Sequence, residues 1–269
     1  MAAGAGGQVV IVTGTSGCYF SFFSHFCRLL EINYTTTKMS RRTKLQKFAE
    51  VLSFPNVYEN FDAKAPGLAG ENGANVELKG LWRERHFGNT HPLTLELACG
   101  KGDYTIGLAE RFPQRNFIGV DIKGARIWRG AKTALEKGLQ NVAFLRTRIE
   151  QIALFFEENE VDEIWITFPD PFLQHSKASR RLTSTLFLAQ YRRILKPGGF
   201  VHLKTDEPNL YDFTLKTLNA LKDYSISHHD DDIYAKPLLM PELEIKTFYE
   251  KQHLAEGKTI KYLRFQLKP

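Results

Sequence analysis

Short apolar runs alternate with amphipathic stretches from residue 93 onward, and that rhythm defines the chain. Leu93, Leu95 and Leu97 alternate with other residues and predict a short buried strand. Apolar runs at Asn116–Val120, Val142–Leu145, Asp162–Thr167 and Phe200–Lys204 predict four more. Between them, helical spacing predicts a helix capped by Asp103, then helices over Gly124–Lys137, near Glu150–Glu158, over Ser184–Leu195 and over Glu207–Leu221. Lys196-Pro-Gly-Gly199 stops the fourth of these. Strands separated by helices argue for an α/β fold, a mostly parallel sheet covered on both faces. The tail departs from this rhythm. Asp223–Ser227 and Thr259–Leu267 bracket a polar insertion at about 230–258, and a late strand pair with no helix between predicts an antiparallel addition at the sheet edge.

Upstream the signal thins. Leu45, Phe48, Ala49 and Leu52 share one face of a short helix over 43–52, read as a packing arm. Arg41, Arg42, Lys44 and Lys47 could touch phosphate, but a solvated basic face of that arm is the commoner outcome. Residues 62–80, rich in Gly, Ala and Asn, read as a surface loop. Within residues 1–38, Val9–Val12 and Thr13-Gly-Thr-Ser-Gly17 imitate the opening of a nucleotide-binding fold. No second strand or acid follows at the required distance, so 1–38 read as a disordered or spurious extension, with Met39 as the natural start. The expected division is 1–38, an arm and loop over 39–92, and the main domain over 93–269.

Charge adds one mild bias. The net charge of +6 and pI near 9.1 favour an anionic partner only if the bases cluster near a site. Cys18, Cys27 and Cys99 form neither metal-ligand spacing nor a disulfide framework, which suits a reducing cytoplasm. The histidines His86, His91, His175, His202, His228 and His229 show no metal spacing with them, so no metal is expected. No apolar run approaches the ~20 residues that span a bilayer.

The chemistry concentrates at the ends of the predicted strands. Gly100 and Gly102 follow the first strand at once, and glycine there lets a ligand touch bare backbone. Asp121 closes the next strand, placed to accept from ribose hydroxyls, and Glu96 flanks the same turn. The third glycine of a dinucleotide site is missing, since Tyr104 and Thr105 follow Gly102, and no GK[ST] phosphate loop is present. These residues predict a nucleoside cofactor without a pyrophosphate. Phe168-Pro-Asp-Pro171 then holds Asp170 stiffly at the end of a central strand. A plain structural turn is the competing reading. Position favours function, because open α/β sheets bind ligands at that edge. His175, Lys177, Arg180 and Arg181 follow as a basic cluster able to hold a phosphate backbone. Lys204-Thr-Asp206 places Asp206 on the same rim, and Thr247 and Glu250 project together if one turn there is helical.

Together, Leu95-Glu-Leu-Ala-Cys-Gly-Lys-Gly102, Gly119-Val-Asp-Ile-Lys-Gly124, Phe168-Pro-Asp-Pro171, Arg180-Arg-Leu182, Lys204-Thr-Asp206 and Thr247-Phe-Tyr-Glu250 resemble the bacterial tRNA (guanine-N7)-methyltransferase family over roughly 43–267. The resemblance implies a Rossmann-like, seven-stranded fold dependent on S-adenosyl-L-methionine (SAM), and methylation of guanine N7 at position 46 in the tRNA variable loop. It assigns Glu96, Gly100, Gly102 and Asp121 to SAM, Asp170 to catalysis, and Asp206, Thr247 and Glu250 to tRNA. Arg148 stands where the family often carries an acid near the adenine, and Gln174 where it carries a substrate lysine, a task open to Lys177 or His175. Lys177, Arg180 and Arg181 join the substrate side. The expected partner is tRNA in the cytoplasm, in a monomer or homodimer. A methyltransferase for another acceptor, a silent SAM- or RNA-binding subunit and a dehydrogenase are the alternatives.

Overall fold

The computed structural model describes residues 42–268, so the expectations for 1–38 and for Arg41 lie outside the described residues. In chain order the elements are α1 (Lys44–Val51), β1 (Val57–Glu59), β2 (Leu68–Ala69), β3 (Asn75–Val76), β4 (Leu93–Leu97) and α2 (Asp103–Arg111). Then come β5 (Asn116–Asp121), α3 (Gly124–Glu136), β6 (Val142–Arg146), β7 (Val161–Thr167) and α4 (Thr185–Ile194). The tail holds β8 (Leu195–Thr205), α5 (Pro208–Ala220), β9 (Tyr224–Asp230), α6 (Phe248–Ala255) and β10 (Lys261–Leu267).

The strands form one sheet in the order β3-β2-β1-β6-β5-β4-β7-β8-β10-β9. From β1 across to β8 neighbouring strands run parallel; β10 returns antiparallel between β8 and β9. Successive β-strand residues face opposite sides, so each strand feeds two cores. Leu93, Leu95, Leu97, Ile118 and Val120 pack on one side with Leu188 and Tyr191 of α4 and Leu210 of α5. Phe117, Phe144 and Trp165 pack on the other with Tyr104 and Leu108 of α2 and Ile127 and Ala131 of α3. Each helix is therefore pinned by its apolar stripe, and the carboxyl ends of β5, β4, β7 and β8 open side by side on one edge. The order reverses at β4, which puts the crevice beside the loop after it.

Four local expectations need correction. Residues 62–80 are no plain loop: β2 and β3 pair antiparallel and β2 pairs β1, so with these three the sheet has ten strands among the described residues rather than seven. The segment near Glu150–Glu158 is a 3-10 turn over Ile149–Leu154, because the chain reverses at Asn159 (φ 59°) and Glu160 takes the amides of Gly80, Trp82 and Glu157. Strand β8 starts at Leu195, directly after α4, with Pro197 and Gly198 (φ 76°) inside it and a register shift opposite Val161/Glu163. Asp103 is the first helical residue, and Gly102 (φ 74°) is the cap.

Candidate active site at the carboxyl edge of the sheet

The turn after β4 runs through Ala98 (φ 57°), Gly100 (φ 58°) and Gly102 (φ 74°), three left-handed residues in five. A Cβ on Gly100 would meet nothing within 4 Å, so its bare face is open. Gly102 is glycine for the opposite reason. A Cβ there would lie 2.7 Å from the Phe144 ring, which also fills the space beside Gly119 and Gly130. Asp121 ties the turn down: its carboxylate accepts from Gly100 N at 2.9 Å and from Lys123 N at 2.8 Å. Each oxygen keeps a lone pair for a further donor.

Glu96 lies beneath this turn. It is buried and accepts from Thr105 N at 2.8 Å, from the Thr105 hydroxyl, and from Thr167 Oγ1 at 2.7 Å. Burial pushes its carboxyl up to about 7, against hydrogen bonds from Thr105 and Thr167 that pull it down. One side chain thus fastens the start of α2 and the end of β7 to β4.

The loop after β7 is held by strain and a clamp. Phe168 (φ 48°) and Phe172 (φ 41°) are left-handed without being glycine, a conformation costing about 1–3 kcal/mol each. Phe168 N donates to Lys204 O at 2.8 Å. Arg181 donates to Pro171 O and to Phe172 O, each at 3.0 Å, while its guanidinium lies 4.4 Å from the Phe213 ring centroid. Only 7% of Arg181 is exposed. Asp170 stands out of this loop, exposed, with one oxygen accepting from Phe172 N at 3.1 Å. The basic cluster therefore divides: Arg181 is spent on the loop, while Gln174, His175, Lys177 and Arg180 remain exposed, Arg180 over the Phe172 ring at 4.6 Å.

The tail insertion packs onto this rim. Thr247 caps α6, its hydroxyl accepting from Glu250 N at 3.1 Å, so the expected helical turn exists. Yet Glu250 does not face outward. It has no exposed surface and pairs with Lys204 Nζ at 2.7 Å, also fully buried. Lys204 donates further to Leu243 O and Ile245 O at 3.1 Å, and the Tyr234 hydroxyl donates to Glu250 at 2.7 Å. Burial lowers the affinity of Lys204 for its proton, and Glu250 opposes that. Glu250 is an anchor for the insertion in this arrangement and, contrary to expectation, offers no surface for tRNA to touch. Asp206 is half-buried, held by Lys258 Nζ at 3.1 Å and close to His253 Nδ1 at 3.4 Å. Phe248 N donates to Asp103 at 3.2 Å, and Lys101 Nζ lies 4.9 Å from the Phe248 ring. Arg148 is exposed beyond β6. Nothing in the sequence marked His253 or Lys258, or pointed Lys204 of the Lys204-Thr-Asp206 motif at Glu250; only the fold brings Lys204 to Glu250 and His253 and Lys258 to Asp206.

The family model described as "Putative methyltransferase" matches residues 90–263. A tRNA (guanine-N(7)-)-methyltransferase of Christiangramia forsetii is 48% identical over 231 residues, covering 86% of this chain and all of that protein. One of Porphyromonas gingivalis, with the same name, is 49% identical over 216 residues, 80% of this chain and 86% of that one. Among solved structures, the 16S rRNA methyltransferase KamB matches with a TM-score of 0.54 at 14% identity, covering 73% of this chain and 97% of that one. That likeness concerns the fold.

Proposed function

The chain belongs to the tRNA (guanine-N(7)-)-methyltransferase family, and on that premise we propose that it moves the methyl group of SAM to N7 of a guanine in tRNA. The single observation that carries the reading is the alignment of three loops on neighbouring strands: the glycine turn after β4, Asp121 ending β5, and Asp170 after β7.

The residues present suit SAM. Gly100 leaves an open face on the turn, and the buried Asp121 keeps lone pairs for two ribose hydroxyls. SAM would supply a sulfonium-bound methyl group, its S–CH3 bond breaking as N7–CH3 forms and the neutral thioether S-adenosylhomocysteine leaving, and no pyrophosphate cradle is required. Glu96 acts beneath the turn, fixing its shape. Arg148, two residues past the end of β6, stands where the resemblance puts the adenine side.

Guanine N7 carries a lone pair and no proton, so the chain has no base to provide there. Its tasks are alignment and charge. Positive charge grows on the purine as the methyl arrives, and the Asp170 carboxylate, held stiffly by the loop and the Arg181 clamp, opposes it. A carboxylate also accepts from guanine N1–H and N2–H₂ and finds no such pair of donors on adenine. Asp206 and Thr247 line the same rim, and Gln174, Lys177 and Arg180 face the RNA backbone. We take the target to be the guanine at position 46 in the variable loop, which is what the resemblance implies. The test is incubation of the pure protein with SAM and tRNA lacking the modification, followed by nucleoside mass analysis. Appearance of 7-methylguanosine is expected; transfer to other acceptors alone would refute the reading.

A further inference from the structure

A second basic region lies across the glycine turn from Arg180. Helix α1 packs on α3, and two aromatic rings gather cations from three elements. Lys44 and Arg146 lie 6.0 and 5.1 Å from the Phe48 ring centroid, and Lys47 and Lys132 lie 4.8 and 5.2 Å from that of Trp128. The absence of a Cβ on Gly124 admits Phe48, since one would sit 2.8 Å from its ring. The acids nearby are already engaged. Glu50 takes Arg42 and the Trp128 indole N–H, Glu59 takes Arg146, and Glu136 stands 3.8 Å from Lys132.

Lys44, Lys47, Lys123, Arg126, Arg129 and Arg148 have no carboxylate within 4 Å among the described residues. An ordinary solvated helix face mixes both signs of charge. This one carries a single sign in surplus, drawn from α1, α3 and the segment after β6. It is also continuous with the rim, because Lys123 lies two residues past Asp121 and Arg148 two past Arg146. The exposed bases after β7 form a bank on the β7 side, and this surface forms one on the β6 side. A small anion would occupy one such point; a folded polyanion spans both.

Resting on the tRNA reading above, we infer that the α1–α3 face is a second docking surface, taking phosphates of the tRNA backbone away from the target guanine. It contributes affinity and orientation through counterion release, without reading sequence. The test measures tRNA affinity across a salt series for the full chain and two variants, Lys44→Gln on α1 and Arg126→Gln/Arg129→Gln on α3. Each lost phosphate contact lowers the slope of log affinity against log salt by about 0.7–0.9. The single variant should therefore lose close to one unit and the double variant close to two, with SAM affinity and the transfer rate at saturating tRNA unchanged. Unchanged slopes in both variants, with tRNA still methylated, would overturn the surface while leaving the proposed function intact. Absence of methylation by the unaltered chain would remove the function beneath it.

Discussion

Replacing Lys204 by Met leaves Glu250 as a fully buried carboxylate with no counter-charge, accepting only from the Tyr234 hydroxyl while its Oε2 has no partner. Breaking one side of a buried ion pair costs about 3–5 kcal/mol, much of it the desolvation of the survivor. For a chain of this size each kcal/mol moves the melting temperature by about 2–4 °C, so a fall on the order of 10 °C is expected. Glu250→Leu should cost a similar amount, because Lys204 then keeps only two carbonyl acceptors. The informative variant is the double one, Lys204→Met/Glu250→Leu. Removing both charges removes the desolvation cost, leaving mainly the orphaned Leu243 and Ile245 carbonyls and the Tyr234 hydroxyl, each about 1 kcal/mol. Urea unfolding of the four proteins measures the coupling directly. The double variant should be no less stable than either single one. A double variant that loses the sum of the two singles would refute the argument, as would singles that lose under 1 kcal/mol.

Further outcomes follow from the same geometry. Arg181→Gln releases the Pro171 and Phe172 carbonyls, so the transfer rate should drop at least ten-fold while SAM affinity stays constant; Arg180→Gln should instead raise the tRNA concentration required. Gly102→Ala drives a Cβ to 2.7 Å from Phe144 at φ 74° and should cost about 2–4 kcal/mol in urea unfolding. Gly100→Ala, with open space beyond it, should cost only about 1–2 kcal/mol of stability yet weaken SAM binding in calorimetry. Glu96 holds its proton more tightly folded than unfolded, so its contribution to stability falls as pH rises from about 4.5 to about 7, by on the order of 3 kcal/mol. Glu96→Gln should flatten that part of the pH profile of unfolding, and superimposable slopes would contradict it.

The parallel sheet and the rim were legible because period-two apolar runs and glycine or proline turns are local signals. Leu93 to Leu97, Gly100, Asp121 and Phe168-Pro-Asp-Pro171 each announce themselves within a few residues. The strands β2 and β3 did not, since two-residue strands carry no periodicity and owe their existence to pairing, β2 with β1 and β3 with β2. Arg181 and Arg180 are indistinguishable in sequence. Only the carbonyls of Pro171 and Phe172, turned inward by two left-handed residues, separate clamp from exposed base. Glu250 was misread for a related reason. Four residues place Thr247 and Glu250 on one turn, but the partner that draws Glu250 inward lies more than forty residues earlier in the chain, on a central strand. Spacing finds neighbours on an element; burial is decided by what packs on it.

The most direct measurement is the single-turnover rate of methyl transfer to tRNA by Asp170→Asn, with SAM affinity determined on the same protein. Asn keeps the shape and an acceptor for Phe172 N but removes the charge that opposes the cationic purine. The account predicts a rate lower by about a hundred-fold or more with SAM affinity within about two-fold, the size expected for one removed electrostatic group. A transfer rate equal to that of the unaltered chain would contradict it.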